Sequence, residues 1–266
     1  MWKGTFSCAC AGLQAVRSVC RLPYLWSLLS FFGLQSLMLA SVCHAQSLKI
    51  VTETAEGVYL QNGKVAGPVT QVVELALQRA NLRDYRIFIY PWARSYEIAL
   101  REPNVLIYRL ARTPARESQF KWVAEFNRVQ ASFYKLKERS DIVVKSMVQA
   151  KQYTIGIIRE DFRHQYLLQQ GFSRLALSAE MAENFRHLLV GKVDLLLLNQ
   201  DDVSYLCQSN DFDCARLERQ FVVQDLQLSS YLAASKNTPD SVVQRLDEAF
   251  KLIKADGSFQ KIMGKQ

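Results

Sequence analysis

The sequence predicts an α/β protein built as two lobes. Three observations carry this. Strands and helices alternate along the chain. Several strands are nearly unbroken apolar runs, such as Val193 to Leu198, of the kind buried on both faces of a parallel sheet. Two β–α series, around residues 48–108 and 153–198, are each about the size of one lobe.

The elements follow in order. Leu48 to Thr52 is a short apolar strand. Asn62-Gly63 is a hairpin turn, with Tyr59-Leu60 and Lys64-Val65 as its arms. Val69 to Ala80 carries Val69, Val72, Val73, Leu75, Ala76 and Leu77 at helical spacing, largely on one face. Tyr85 to Tyr90 alternates as a strand, Trp92 to Leu100 is a short helix, and Val105 to Tyr108 is another strand. A strand at Ala131 to Leu136 and a helix near Ser146 precede the strand Tyr153 to Ile158. Helices follow at Phe162 to Gln170 and Ala182 to Val190, stopped by Gly171 and Gly191. Pro239 to Ala255 is the last long helix, stopped at Asp256-Gly257.

Composition narrows the class. Of 266 residues, 49% are hydrophobic and 22% charged, as in ordinary globular proteins. The formal charge is +8, of which Lys3, Arg17 and Arg21 contribute three. The remaining charges are interspersed, which argues against a nucleic-acid partner. Residues 1–45 read as a cleaved signal peptide: a basic start, an apolar Leu22 to Ala40, then Cys43-His44-Ala45 before Gln46. Val42 makes a poor lipobox before Cys43. Export would place the mature chain in the periplasm. There Cys207 and Cys214, the pair left after cleavage, read as a disulfide. His164 and His187 have no ligand spacing to either cysteine, so neither a metal nor a cofactor is expected.

Three stretches together resemble a known family. They are Thr113-Pro114-Ala115-Arg116 with Phe120, Trp122 and Phe126; Gly191-Lys192-Val193-Asp194 before an apolar strand; and the C-terminal Ala255-Asp256-Gly257-Ser258-Phe259 with Lys261. Their order and spacing resemble the type-2 periplasmic solute-binding proteins of polar amino acid ABC transporters. The resemblance implies two α/β lobes joined by two crossing strands, with a ligand cleft between them. It implies a discontinuous lobe 1, residues 46–129 and 229–266, and a lobe 2 of residues 130–228. It further implies a monomer that closes on a small carboxylate or amino-acid ligand and docks on a membrane permease.

The same resemblance places Arg116 on the ligand carboxylate, a role that suits a planar, permanently charged guanidinium. Thr113 would cap the helix start beside it, and Ala111 stands where relatives carry a ligand-binding serine. Arg94, opening a helix after Pro91, is a second candidate. Trp92, Tyr59 and Tyr108 are candidate aromatic walls. Asp161 falls where relatives place a Gly-Thr-Thr-like turn. Asn199 aligns with the acidic partner of the ligand ammonium, and an amide brings no counter-charge. A new carboxylate (Glu160, Asp161, Asp201 or Asp202) then supplies it, or the ligand is not a free α-amino acid. No acid–base constellation is apparent, so no catalytic residue is assigned. Relatives that report to a membrane receptor, or act as cyclohexadienyl dehydratases, define the competing functions.

Overall fold

A computed structural model of the chain describes residues 47–264. The signal peptide predicted for residues 1–45 lies outside them. Among the described residues no helix is long and apolar enough to cross a membrane.

Among the described residues ten strands appear in chain order. They are β1 (Leu48–Thr52), β2 (Tyr59–Gln61), β3 (Lys64–Ala66), β4 (Tyr85–Ile89), β5 (Val105–Ala111), β6 (Phe120–Leu136), β7 (Ile155–Ile158), β8 (Leu175–Ser178), β9 (Leu195–Leu198) and β10 (Leu217–Ser235). Within the same residues α-helices alternate with them: α1 (Pro68–Arg79), α2 (Trp92–Arg101), α3 (Met147–Ala150), α4 (Phe162–Gln169), α5 (Met181–Leu189), α6 (Gln200–Ser209), α7 (Asp240–Ala255) and α8 (Ser258–Met263).

Eight strands form one sheet in the order β4-β1-β5-β10-β6-β9-β7-β8, and β2 and β3 form a separate hairpin. In the first half, β4, β1 and β5 are parallel. In the second half, β9, β7 and β8 are parallel. The two halves are joined by β6 and β10, antiparallel strands of 17 and 19 residues. The late part of β10, Ser230 to Ala234, pairs with β5, whereas Ser132 to Tyr134 of β6 pair with β9. Midway, the β6–β10 ladder slips between Val222 and Gln227 and resumes where Gln130 pairs with Gln227.

Each half has its own core. Ile50, Leu77, Leu106, Tyr108, Phe250 and Ile253 pack in the first. Phe133, Ile155, Leu167, Phe172, Leu195 and Leu197 pack in the second. A third cluster crosses from Trp92 and Tyr96 to Met181, Phe185 and Leu196, so the two halves also touch directly. Helices α7 and α8 return to the first half, where Phe250 meets Phe126 edge-on at 5.3 Å and packs with Phe259. Burying a side chain of that size contributes about 1.5–3 kcal/mol.

The predicted elements sit within a few residues of the observed ones, except that the strand expected at Ala131 to Leu136 is only the end of β6; β8, α6 and β10 were not placed from periodicity. Asp256-Gly257 does stop α7, with Gly257 at φ 78°, but a further turn of helix, α8, follows.

Candidate functional site

The site is built where the halves face each other. Glu53, Tyr90 and Glu160 follow the carboxyl ends of β1, β4 and β7, and Ala179-Glu180 follow β8. Carboxyl ends of parallel strands are where open α/β sheets carry their ligands. A cavity of ≈ 240 Å³ lies there, lined from the first half by Glu53, Leu60 and Tyr90 and from the second by Glu180, Met181 and Tyr205. A smaller cavity of ≈ 40 Å³ shares Glu53 and Met181 with it and reaches Trp92, Ala111, Asp161 and Asn199. Two larger hollows lie elsewhere. One, of ≈ 360 Å³, is confined to the first half beside β4. The other, of ≈ 310 Å³, is lined by Thr113, Phe162, Tyr166 and Leu226.

Four side chains of the second half form a buried network beside the small cavity. Arg163 donates Nε to Asp161 Oδ1 at 2.8 Å and Nη2 to Asp161 Oδ2 at 3.1 Å. Its Nη1 reaches Asp202 Oδ2 at 2.6 Å and the Leu197 carbonyl at 3.2 Å. Asp161 caps α4 through the Arg163 N–H. Asn199 and Asp202 cap α6 reciprocally, each side chain taking the other's backbone N–H at 2.9 and 3.1 Å. Burial alone would raise the Asp161 pKa. The Arg163 charge and hydrogen bonds override that and hold it below the ordinary range.

Glu53 stands across from this network, its carboxyl accepting no hydrogen bond among the described residues. Burial, then the neighbouring Asp161 charge, push its pKa up to about 8, against the opposing pull of Arg163 and Arg109. Glu56 is raised by burial too. The Tyr205 phenol faces Glu180, Glu53 and Glu56, and burial and those charges raise it.

The seam is closed by main-chain contacts. The Glu160 carbonyl accepts from Trp92 Nε1 at 3.0 Å and from Arg116 Nη2 at 3.3 Å, both reaching over from the first half. Glu160 holds φ at 61°, a left-handed conformation that costs a non-glycine residue on the order of 1 kcal/mol. Arg109, at φ 63°, does the same on the other side and donates to the Glu56 carbonyl.

The nine predicted site residues fall in different places. Trp92, Ala111, Asp161 and Asn199 line the small cavity. Arg116 is 1% exposed, donates Nη1 to the Ala111 carbonyl at 3.3 Å, and lies under the rings of Trp92 and Tyr96. It lines neither cleft cavity, and its Nε is buried without a partner. Thr113 precedes a 3₁₀ turn, Pro114–Arg116, without capping it, and opens on the outer hollow. Arg94 is exposed and stacks on Tyr90 at 4.3 Å. Tyr59 is exposed on the hairpin. Tyr108 belongs to the first core instead of the cleft, its hydroxyl bonded to Thr70 at 2.9 Å, and burial raises it to about 12. Its strand is buried on both faces, so an aromatic there packs inward.

Sequence reasoning missed Glu53, Tyr90, Glu180 and Tyr205. Position at strand carboxyl ends could have found Glu53 and Tyr90, whereas Glu180 follows β8, a strand that periodicity did not reveal. Tyr205 lies on a helix whose apolar spacing is weak. The predicted disulfide is present: Cys207 in α6 and Cys214 join at 2.03 Å, with Cα atoms 5.5 Å apart. Among the described residues no group of three or more His, Cys, Asp and Glu could hold a metal.

No protein-family model and no curated protein sequence matches the chain. Solved structures do share its fold. A histidine kinase sensor domain with similarity to periplasmic binding proteins superposes at TM-score 0.71 and 14% identity, covering 83% of this chain and 95% of that one. An ancestral arginine-binding protein bound to arginine gives TM-score 0.70 at 15% identity, over 82% and 97%. The arginine-, lysine-, histidine-binding protein ArtJ of Geobacillus stearothermophilus gives 0.70 at 17%, over 83% and 94%. The chain therefore has the two-part α/β architecture of periplasmic binding proteins.

Proposed function

We propose that this chain is a periplasmic solute-binding protein that captures an amino acid or an amino-acid derivative between its halves and presents it to the permease of an ABC transporter. One observation carries the reading. The ≈ 240 Å³ cavity is walled by both halves, and among the described residues the chain crosses between those halves along β6 and β10. A ligand there would hold the halves together, and losing it would let them part about the irregular stretch Val222 to Gln227. Residues 46–129 and 229–266 then form one lobe and residues 130–228 the other. The fold likeness to amino-acid-binding proteins supports the same ligand class. Export by the N-terminal segment and action as a monomer belong to this reading.

The test is a thermal-shift screen of amino acids, their derivatives and dicarboxylates on the purified protein. A rise of several degrees with one chemical class is expected, and a flat screen counts against the proposal. Binding without turnover is part of it, so steady loss of prephenate absorbance would overturn that part. The likeness to a histidine kinase sensor domain favours a second reading, a sensor that reports to a membrane receptor. Co-purification with a permease supports transport, and with a receptor kinase supports sensing.

A further inference from the structure

Resting on the solute-binding reading, the geometry points to a narrower ligand: a small organic amine lacking a carboxylate, seated in the ≈ 240 Å³ cavity with its ammonium on Glu53.

The charge of the lining comes first. Glu53 and Glu180 are its charged members, and no Lys, Arg or His lines it. The Tyr205 phenol brings Glu56 into the same field. This acidic spot stands out in a chain whose formal charge is +8. Arg94, stacked on the Tyr90 ring, is outside the lining.

Glu53 is the group short of a partner. Its carboxyl is half-buried and accepts no hydrogen bond from the described residues. The nearby cations are engaged. Arg163 is held by Asp161 and Asp202, and Arg109 donates to the Glu56 carbonyl. A partly desolvated carboxylate without protein donors is costly, and an ammonium supplies both charge and three donors. Tyr90 and Tyr205 line the same cavity, and Leu60, Ile89 and Met181 offer apolar contact to the carbon skeleton of such a cation.

The opposite end of an α-amino acid finds no such welcome. The one arginine that the family resemblance offers to a carboxylate, Arg116, spends Nη1 and Nη2 on the carbonyls of Ala111 and Glu160. A carboxylate placed in the cavity would instead face Glu53 and Glu180.

The test compares matched pairs on the purified protein by thermal shift and calorimetry. The pairs are agmatine with arginine, cadaverine with lysine, and phenethylamine with phenylalanine. At least one amine is expected to bind tenfold or more tightly than its amino acid. Glu53→Gln, which keeps the shape and removes the charge, should weaken that amine at least tenfold while leaving the ligand-free Tm within a few degrees. Amino acids that equal or exceed their amines, or a Glu53→Gln protein that binds amines like the wild type, would overturn this inference and leave the solute-binding reading standing. Silence from amines and amino acids alike would sink both.

Discussion

Arg163 and Arg116 are both buried arginines, yet their surroundings ask different things of them. Arg163 neutralises two carboxylates, Asp161 and Asp202, that are themselves tied into helix caps. Replacing it with Met would strand both charges, at a cost of about 3–5 kcal/mol in chemical denaturation. Arg116 makes no carboxylate ion pair among the described residues, though its charge is felt at Asp161, and it bridges the halves through one carbonyl. Arg116→Met should cost less, about 1–2 kcal/mol, since Trp92 still holds the Glu160 carbonyl. Equal losses in the two variants would mean that Arg116 has an anionic partner of its own. This contrast was not legible in the sequence. Thr113-Pro114-Ala115-Arg116 marks a special arginine, but the chain alone cannot show that its donors end on carbonyls. Asn199 could be read as a weakened site residue. Only its place before α6 shows that it is first a helix cap, reciprocated by Asp202 three residues on.

At the scale of elements, periodicity exposed what is locally determined. The Asn62-Gly63 turn forms with both residues at positive φ, and α1 begins at Pro68 as proline favours. The long strands were hidden because β6 and β10 each serve two environments. The burial of β10 is irregular over its first part and nearly continuous at its end, so no single alternation persists. Helix α6 was hidden by acidic residues in its first turn, where the helix dipole welcomes them. Two element-level predictions follow from geometry. Gly67 sits at φ 111°, and a Cβ there would collide with the Gly57 carbonyl, which also accepts from Val69 at 3.2 Å. Gly67→Ala should therefore loosen the hairpin from α1 and destabilise by about 2 kcal/mol or more by denaturant midpoint. The Cys207–Cys214 bridge closes a short loop, with a separation of 7, at the end of α6. Reducing it should cost about 2–3 kcal/mol and lower Tm by about 5 °C. An unchanged melt in reductant would mean that packing alone holds that corner.

For the whole molecule, the coupling between halves and proton uptake share one group. Glu53 belongs to the first half, and the charges that face it include Asp161, Asp202 and Arg163 of the second, with Arg109 and Tyr205 alongside. Burial and the Asp161 charge lift its pKa from 4.5 to about 8 in the folded chain. Between those values the native protein binds more protons than the unfolded one. Glu53 thus stabilises fully below the lower value, and its contribution is lost as pH rises toward the upper one. The slope is bounded by about 1.4 kcal/mol per pH unit, and solvent at this half-buried carboxyl reduces it. Wild-type Tm should then fall across pH 5–8 more steeply than that of Glu53→Gln, whose amide does not titrate. Amine binding should run the other way. An ammonium is best matched by the ionised carboxylate, so its capture expels a proton and its affinity rises with pH through the same window. Calorimetry in buffers of different ionisation enthalpy would count that proton near pH 6.5. Release approaching one proton per amine, abolished in Glu53→Gln, ties ligand, proton and the meeting of the halves to a single side chain. An affinity that is flat across pH 5–8, with no proton released, would place the ammonium elsewhere in the molecule.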